Sequence, residues 1–409
     1  MAQSATEYLR DLRDRVQAAV DSARDGDVPE SLLSADEALR ILTDRELDTE
    51  SLLAIGALPR ERFYGRGVQL HILNNVRNGH CPEDCGYCAQ RKVGPDQEAS
   101  ADPGQPIASY PTKTDAEILE EARVAYESGA FRYCMVTAGR GPNERSIERF
   151  ADLIREIKSK YPLQICLSAG LVTRPEYAQK LAEAGLDRYN HNLNTSEKHY
   201  GEICSTHDYQ DRMQTLDTVT GAGISLCSGV IAGMGESAAD LVEVAFDLRK
   251  RAVPSIPVNF FIPVPGHALK NVTPMTADYG LRILSLFRLV NPAAEIRLAA
   301  GREIHFGKDN AQARALSVAS SMFVSGYLNV RGSDAEATIR MIYDAGYTVD
   351  AQHSDFPAQL KELLGEGDAA AVGSGRGDQG EDAEAVAAGA VVLKAKADLR
   401  PFESTIAGD

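Results

Sequence analysis

From Val68 onward the hydrophobic positions fall into short, nearly continuous runs, separated by longer stretches in which they recur at helical spacing. The runs are VQLHILNNV, FRYCMVTAG, LQICLSAG, DRYNHNLN, ISLCSGVIAG, SIPVNFFIP, EIRLAAG and SSMFVSG. The stretches between them include DAEILEEARVAYESG, SIERFADLIREIKSK, PEYAQKLAEAG and YQDRMQTLDTVTGAG. Eight candidate strands, each followed by an amphipathic helix, predict an α/β fold of the (β/α)8 TIM type. An open doubly wound sheet shares the alternation, but the count of eight favours closure.

Before the first strand the pattern is purely helical. Leu9, Leu12, Val16 and Val20 keep one face apolar, Ser34 with Glu37 forms a capping-box signature ahead of EALRIL, and DTESLLAIGALPRE follows. Residues 1–64 therefore read as an N-terminal helical extension and residues 65–352 as the barrel. Residues 353–409 read as a C-terminal extension: GEGDAAAVGSGRGDQGEDAEAVAAGA is rich in Gly, Ala and acidic residues, buries little, and is expected to be a largely disordered acidic tail.

Charge narrows the function classes. With 59 acidic against 43 basic residues the formal net charge is -16, which argues against a nucleic-acid binder working through a broad basic face. The apolar run from Ala385 to Leu393 is far shorter than the roughly 20 residues of a membrane span. The start, MAQSATEYLRDLRDR, lacks the basic end and apolar centre of a signal peptide. A cytoplasmic enzyme with neither nucleic-acid nor membrane partner is expected.

Seven cysteines in such a chain do not read as a disulfide scaffold, which would be short, dense and secreted. Cys81, Cys85 and Cys88 form a C-x3-C-x2-C loop directly after the first candidate strand. Three thiolates so close can wrap one face of a metal cluster while leaving a coordination position open, as reactive rather than structural sites do. A structural zinc knuckle would want a second cysteine or histidine pair, and His80 is placed wrongly to complete one. Cys134, Cys166 and Cys227 each lie inside a different candidate strand. Alone, each would read as a small buried hydrophobe, but on barrel strands inward positions converge, so together they suit one buried cluster. Arg297 is the fourth inward candidate, a partner for anionic sulfur or a carboxylate. Cys204, in GEICSTHDY, belongs to neither set and is expected only to pack.

The loop C-x3-C-x-aromatic-C, with Tyr87 as the aromatic residue, resembles the signature of radical S-adenosylmethionine (SAM) enzymes. A second motif of that family, G-x-I-x-G-x-x-E, is matched by Gly229, Ile231, Gly233 and Glu236. The resemblance implies a [4Fe–4S] cluster on Cys81, Cys85 and Cys88, with SAM on its open iron and the second motif beside the SAM adenine and sugar. Within that superfamily, CPEDCGYCAQ, RYNHNLNTS, CSGVIAGMGE, SIPVNF and IRLAAGRE are similar to blocks of the biotin synthase family, over roughly residues 65 to 350. That likeness implies an auxiliary [2Fe–2S] cluster on Cys134, Cys166, Cys227 and Arg297 that donates sulfur to dethiobiotin, a flavodoxin- or ferredoxin-like electron donor, and a homodimer. It also implies that Asn192 and Asn259 face the cyclic urea of the substrate, an amide being able both to donate and to accept. Asn194 stands where many relatives carry an acid on the SAM ribose, and His267–Ala268 replaces a Thr-Pro pair in the loop after the sixth strand. His191 is expected to be structural. A hydrogenase-maturase or methylornithine-forming relative would share the loop but would not be expected to carry all of Cys134, Cys166, Cys227 and Arg297. A non-catalytic iron–sulfur or zinc module would explain the loop alone.

Overall fold

The structure, a computed structural model, describes residues 3–24, 30–90, 110–263, 268–269, 272, 275–307, 310–324, 326–327, 330–331 and 335–351. The tail expected over 353–409 and the positions Gly266 and His267 lie outside them. Three helices open the chain: α1 (Ala5–Ser22), α2 (Ala35–Thr43) and α3 (Thr49–Tyr64). The first two start on complete capping boxes, Ser4 with Glu7 and Ser34 with Glu37, so the orphan amides of the first turn are satisfied locally.

The barrel is built from β1 (Gly67–Arg77), β2 (Arg132–Thr137), β3 (Gln164–Ser168), β4 (Arg188–Asn190), β5 (Ser225–Cys227), β6 (Val230–Ala232), β7 (Ser255–Phe260), β8 (Glu295–Leu298) and β9 (Ser321–Phe323). All pairings are parallel, and β9 pairs back onto β1, which closes the ring. A short hairpin, β10 (Gly326–Tyr327) with β11 (Val330–Arg331), follows, and β12 (Thr348–Asp350) pairs with the first residues of β1. The helices are α4 (Asp115–Glu127), α5 (Glu144–Lys160), α6 (Pro175–Glu183), α7 (Glu197–Ile203), α8 (Tyr209–Gly221), α9 (Ala238–Lys250), α10 (Ala277–Val290), α11 (Arg302–His305), α12 (Ala311–Ala315) and α13 (Ala335–Asp344). The fold is a (β/α)8 TIM-type barrel with helices ahead of it.

Buried arginines join the N-terminal helices to the barrel. Arg282 on α10 donates to the carbonyls of Ile41 (3.1 Å), Asp44 (2.9 Å) and Leu47, and to Thr49 Oγ1 at 3.0 Å, collecting the loose end of α2 and the start of α3. Arg288, one turn and a half on, donates to the carbonyls of Pro292, Ala294 and Val318 and lies over the Tyr64 ring of α3, 5.3 Å from its centroid. A guanidinium offers five donors in a fixed fork and so replaces water for several carbonyls at once.

The sequence predicts one fifth strand through ISLCSGVIAG; the structure breaks it into β5 and β6 at Ser228–Gly229. The reason is close approach. A Cβ at Gly229 would lie 1.9 Å from the carbonyl oxygen of Pro257 on β7, so only glycine lets the two backbones meet. Because the obstacle is backbone, Gly229→Ala should destabilise the barrel by about 3 kcal/mol, the upper end for overpacking, read as a lower urea midpoint at unchanged slope. A midpoint equal to wild type would show that the break has another origin.

Candidate active site

Two cavities are stacked along the barrel axis. The outer one, about 270 Å³ at the C-terminal ends of the strands, is bordered by Cys81, Cys85, Tyr87 and Cys88 from the loop after β1 and by Asn192, Asn194, Ile231 and Asn259 from strand ends. The inner one, about 20 Å³, lies against Cys134, Cys166, Arg297 and Phe323. Val136, Ser168 and Asn190 line both.

Strand register brings the inner set together. Cys134 pairs with Cys166, Asn190 with Cys227, and Pro257 with Arg297, whose other neighbour is Ser321. Leu73, Cys134, Cys166, Cys227, Ala299 and Phe323 form a small apolar cluster of their own, apart from the large core between strands and helices. The three thiols influence one another: Cys166 lowers the Cys134 pKa, Cys134 raises that of Cys166 to about 12, and Cys227 is pushed up by Cys166 and by burial. Cys227 Sγ receives Asn190 Nδ2 at 3.2 Å, Ser255 Oγ at 3.6 Å and Arg297 Nη1 at 3.6 Å.

Beneath them lies a buried ionic layer. Glu295 accepts from Arg297 Nη2 at 2.5 Å, Arg132 Nη1 at 2.9 Å, Ser321 Oγ at 2.8 Å and faces His71 Nε2 at 3.1 Å. Burial alone would raise the Glu295 pKa; Arg132, Arg297 and His71 outweigh it and hold the carboxyl well below the usual carboxylate range. Burial drives His71 the other way, towards the neutral imidazole, with Arg297 adding to it. Arg297 Nε is buried without a hydrogen-bond partner in the protein. Soft donors packed side by side over two guanidiniums, with one orphaned N–H among them, are the chemistry an anionic metal–sulfide group asks for.

The residues between the loop cysteines anchor the loop. Glu83 accepts from Thr206 Oγ1 (2.8 Å), Arg140 Nη1 (3.2 Å) and His207 Nδ1 (2.5 Å). Asp84 accepts from the Ser205 and Thr206 amides at 3.0 and 3.2 Å, bonds that hold its pKa far below the usual range, led by the one from the Ser205 hydroxyl. Gly86 N–H donates to the Ile203 carbonyl at 2.8 Å. The loop is thereby clamped to the connection from α7 to α8. Cys85 Sγ stands 3.8 Å from Cys204 Sγ. Among the described residues, Cys85, Cys204 and His207 form the one group of three whose ligand atoms lie within 4.8 Å of one another.

The second motif shapes a turn. Glu236 accepts from the Gly233 and Met234 amides at 2.6 and 2.7 Å, and Gly233 takes φ +97, open to glycine. Of the motif, Ile231 borders the outer cavity, whereas Gly229, Gly233 and Glu236 do not. Asn194, itself at φ +69, exchanges backbone bonds with Gly229 and Ile231, and its side chain donates to Tyr87 Oη at 2.6 Å. Asn259 ties β6 to the end of β8 by donating to Val230 O (3.0 Å) and accepting from Ala300 N (3.2 Å). Each amide group keeps one further donor and acceptor for a ligand.

Sequence reasoning missed Arg212, His207, Glu83 and Asn190. Arg212 donates to Asn192 O at 2.8 Å, to Tyr87 Oη at 3.2 Å and to Tyr200 Oη while bordering the outer cavity. Its signal was present: it falls on the buried stripe of α8 with Tyr209, Leu216 and Val219, a charge on an apolar face. His191, expected to be structural, is buried just past the end of β4 and borders the outer cavity, with Nε2 unpartnered within the protein.

A closed parallel barrel with a three-cysteine loop over its mouth defines a radical SAM fold, and residues 76–248 match the Radical SAM superfamily. Residues 257–348 match the Biotin and Thiamin Synthesis associated domain. The chain belongs to the biotin synthase family. It is 50% identical over 325 residues to a biotin synthase of Leptospira interrogans, covering 80% of this chain and 89% of that protein. A biotin synthase of Magnetococcus marinus is 49% identical, with 78% and 96% covered. In fold the chain is also similar to an FeFe-hydrogenase maturase from Carboxydothermus hydrogenoformans (TM-score 0.69, 17% identity, 88% and 85% covered) and to a methylornithine synthase (TM-score 0.67, 18% identity, 85% and 99% covered).

The ionic layer carries a pH signature. Because the Glu295 pKa is depressed on folding, its stabilisation is complete above the ordinary carboxylate value of 4.5 and is lost as pH falls through the folded value. Glu295→Gln should cost about 3 kcal/mol at neutral pH by leaving Arg132 and Arg297 under-compensated. Denaturant unfolding of both proteins from about pH 7 to about pH 3 should show that gap narrowing only below 4.5. A gap independent of pH would contradict the assignment.

Proposed function

We propose that the protein converts dethiobiotin to biotin by radical insertion of sulfur, dethiobiotin lying in the outer cavity between the two cysteine sets. The observation that carries this reading is the stacking itself: Val136, Ser168 and Asn190 face both cavities, so a molecule held at the mouth is separated from the strand cysteines by side chains alone. When bound, SAM with a [4Fe–4S] cluster on Cys81, Cys85 and Cys88 supplies the hydrogen-abstracting radical, and a [2Fe–2S] cluster on Cys134, Cys166, Cys227 and Arg297 supplies sulfur.

The chain's own residues bind, orient and exclude water. Asn192 and Asn259 offer amides to the urea, and the buried Arg212 cation suits a carboxylate such as that of an amino-acid group. Tyr87 and Asn194, bonded to each other, are set to border the SAM ribose, and the neutral amide of Asn194 addresses hydroxyls without charge. Ile231 gives SAM an apolar wall, while Gly229, Gly233 and Glu236 fix the turn behind it. Glu295 and Ser255 (2.8 Å from Arg297 Nη2) hold Arg297 against Cys227. Phe260 and Phe261 line the same cavity with apolar rings that limit water.

The maturase and methylornithine alternatives rest on likeness of fold, at 17% and 18% identity. We further read the protein as a cytoplasmic homodimer served by a flavodoxin- or ferredoxin-like donor, with residues 1–64, 65–352 and 353–409 as its three parts; no described helix is long and apolar enough to cross a membrane.

Anaerobically reconstituted protein, given reductant, SAM and dethiobiotin, should form biotin. Cys134→Ala should still cleave SAM to 5′-deoxyadenosine but lose biotin formation by at least about 100-fold, a loss of transition-state access worth ~3 kcal/mol or more. Biotin from the variant at the wild-type rate would refute the reading.

A further inference from the structure

Cys204 was left without a role by every consideration of the two cysteine sets, yet its sulfur lies 3.8 Å from that of Cys85. Their backbones are already joined next door, by the Gly86 N–H bond to Ile203 O at 2.8 Å. A disulfide needs the sulfurs at about 2.05 Å, so side-chain rotation has to close the remaining gap. The two thiols also form a wall between two spaces. Cys85 borders the outer barrel cavity, whereas Cys204 borders a separate cleft of about 400 Å³ between α7 and the start of α8, lined with Tyr200, His207 and Asp208. Cys204 is only 7% exposed, and the cleft is the side from which a small reagent would approach it. Its surroundings are polar, with Asp84 Oδ1 at 3.3 Å, Thr206 Oγ1 at 3.6 Å and His207 Nδ1 at 3.4 Å.

We propose that Cys85 and Cys204 form a reversible disulfide when the loop carries no cluster, making Cys204 a redox lock on cluster loading. The inference rests on the reading of Cys85 as a cluster ligand. The oxidant is a low-molecular-weight disulfide. The Cys204 thiolate, its proton lost to solvent in the cleft, attacks one sulfur of that disulfide, forming a mixed disulfide and expelling one thiolate, which takes up a proton. The Cys85 thiolate then attacks the Cys204 sulfur, closing the protein disulfide and releasing the second small thiol. Two protein thiols are oxidised and one small disulfide is reduced to two thiols. The lock withholds one of the three loop cysteines from iron and shields it from irreversible oxidation until a dithiol reductant reopens it.

The test uses the full chain, stripped of iron by chelation under reductant, freed of both, and incubated with glutathione disulfide. Alkylation and peptide mapping by mass spectrometry should find Cys85 linked to Cys204, and iron uptake at the loop should be lost until dithiothreitol is added. Cluster-loaded protein treated alike should keep Cys204 as a free, alkylated thiol. Cys204→Ala and, as a second variant in case of misfolding, Cys204→Ser should take up iron after the oxidising treatment without dithiothreitol. Cys85 found free, or linked only to Cys81 or Cys88, would overturn the proposal, as would variants that need the reductant as much as wild type. Failure of the cluster reading looks different: protein kept reduced throughout would take up no iron at the loop, whatever the disulfide map shows.

Discussion

One carboxylate makes the interior of this barrel possible. Arg132, Arg297 and His71 are all essentially removed from solvent, and the negative charge that compensates the two guanidiniums is that of Glu295. Two guanidiniums without it would cost several kcal/mol in desolvation. With it, every strand of the ring except β6 contributes a side chain or carbonyl to one polar layer, through Gln164, Arg188, Ser225, Ser255 and Ser321 among others. That layer is the floor on which the thiols of Cys134, Cys166 and Cys227 stand. It places positive charge beneath sulfur, and it fixes Arg297 by two bonds on one edge of its guanidinium so that the other edge meets Cys227.

The mouth of the barrel is organised on a different principle. A loop that carries three cysteines has little apolar material of its own with which to fold, so it borrows order from the connection between α7 and α8. Glu83 and Asp84 spend their oxygens on Ser205, Thr206 and His207, and Gly86 binds the end of α7. Arg212, one helical step further, binds Tyr87 from the same side. The loop and the α7–α8 connection therefore form one unit, and a change in either is transmitted to the cysteines.

Much of this was legible in the sequence because it is local. Strand–helix alternation, the capping box at Ser34, and the C-x3-C-x2-C spacing each lie within a few consecutive residues. The strand cysteines were legible for a second reason: inward positions on different barrel strands converge wherever the ring closes. What was not legible depends on contacts across the chain. The break at Ser228–Gly229 exists because of Pro257, the partner of Glu295 is more than a hundred residues away at Arg132, and Cys204 acquires a neighbour only when α7 is laid against the loop. Glu83 and Asp84 looked like spacers between ligands, and a single sequence cannot say which distant amides and hydroxyls a surface acid will find.

The proposal is that two independent iron–sulfur sites lie at two stacked cavities, the loop cysteines at the outer one and the strand cysteines at the inner one. It is tested most directly by Mössbauer spectroscopy of iron-57-reconstituted protein in three forms: wild type, a variant with Cys81, Cys85 and Cys88 replaced by alanine, and a variant with Cys134, Cys166 and Cys227 so replaced. The account predicts two distinct cluster signals in wild type, with each variant losing one and retaining the other. A single signal in wild type, or loss of both in either variant that remains folded by circular dichroism, would contradict it.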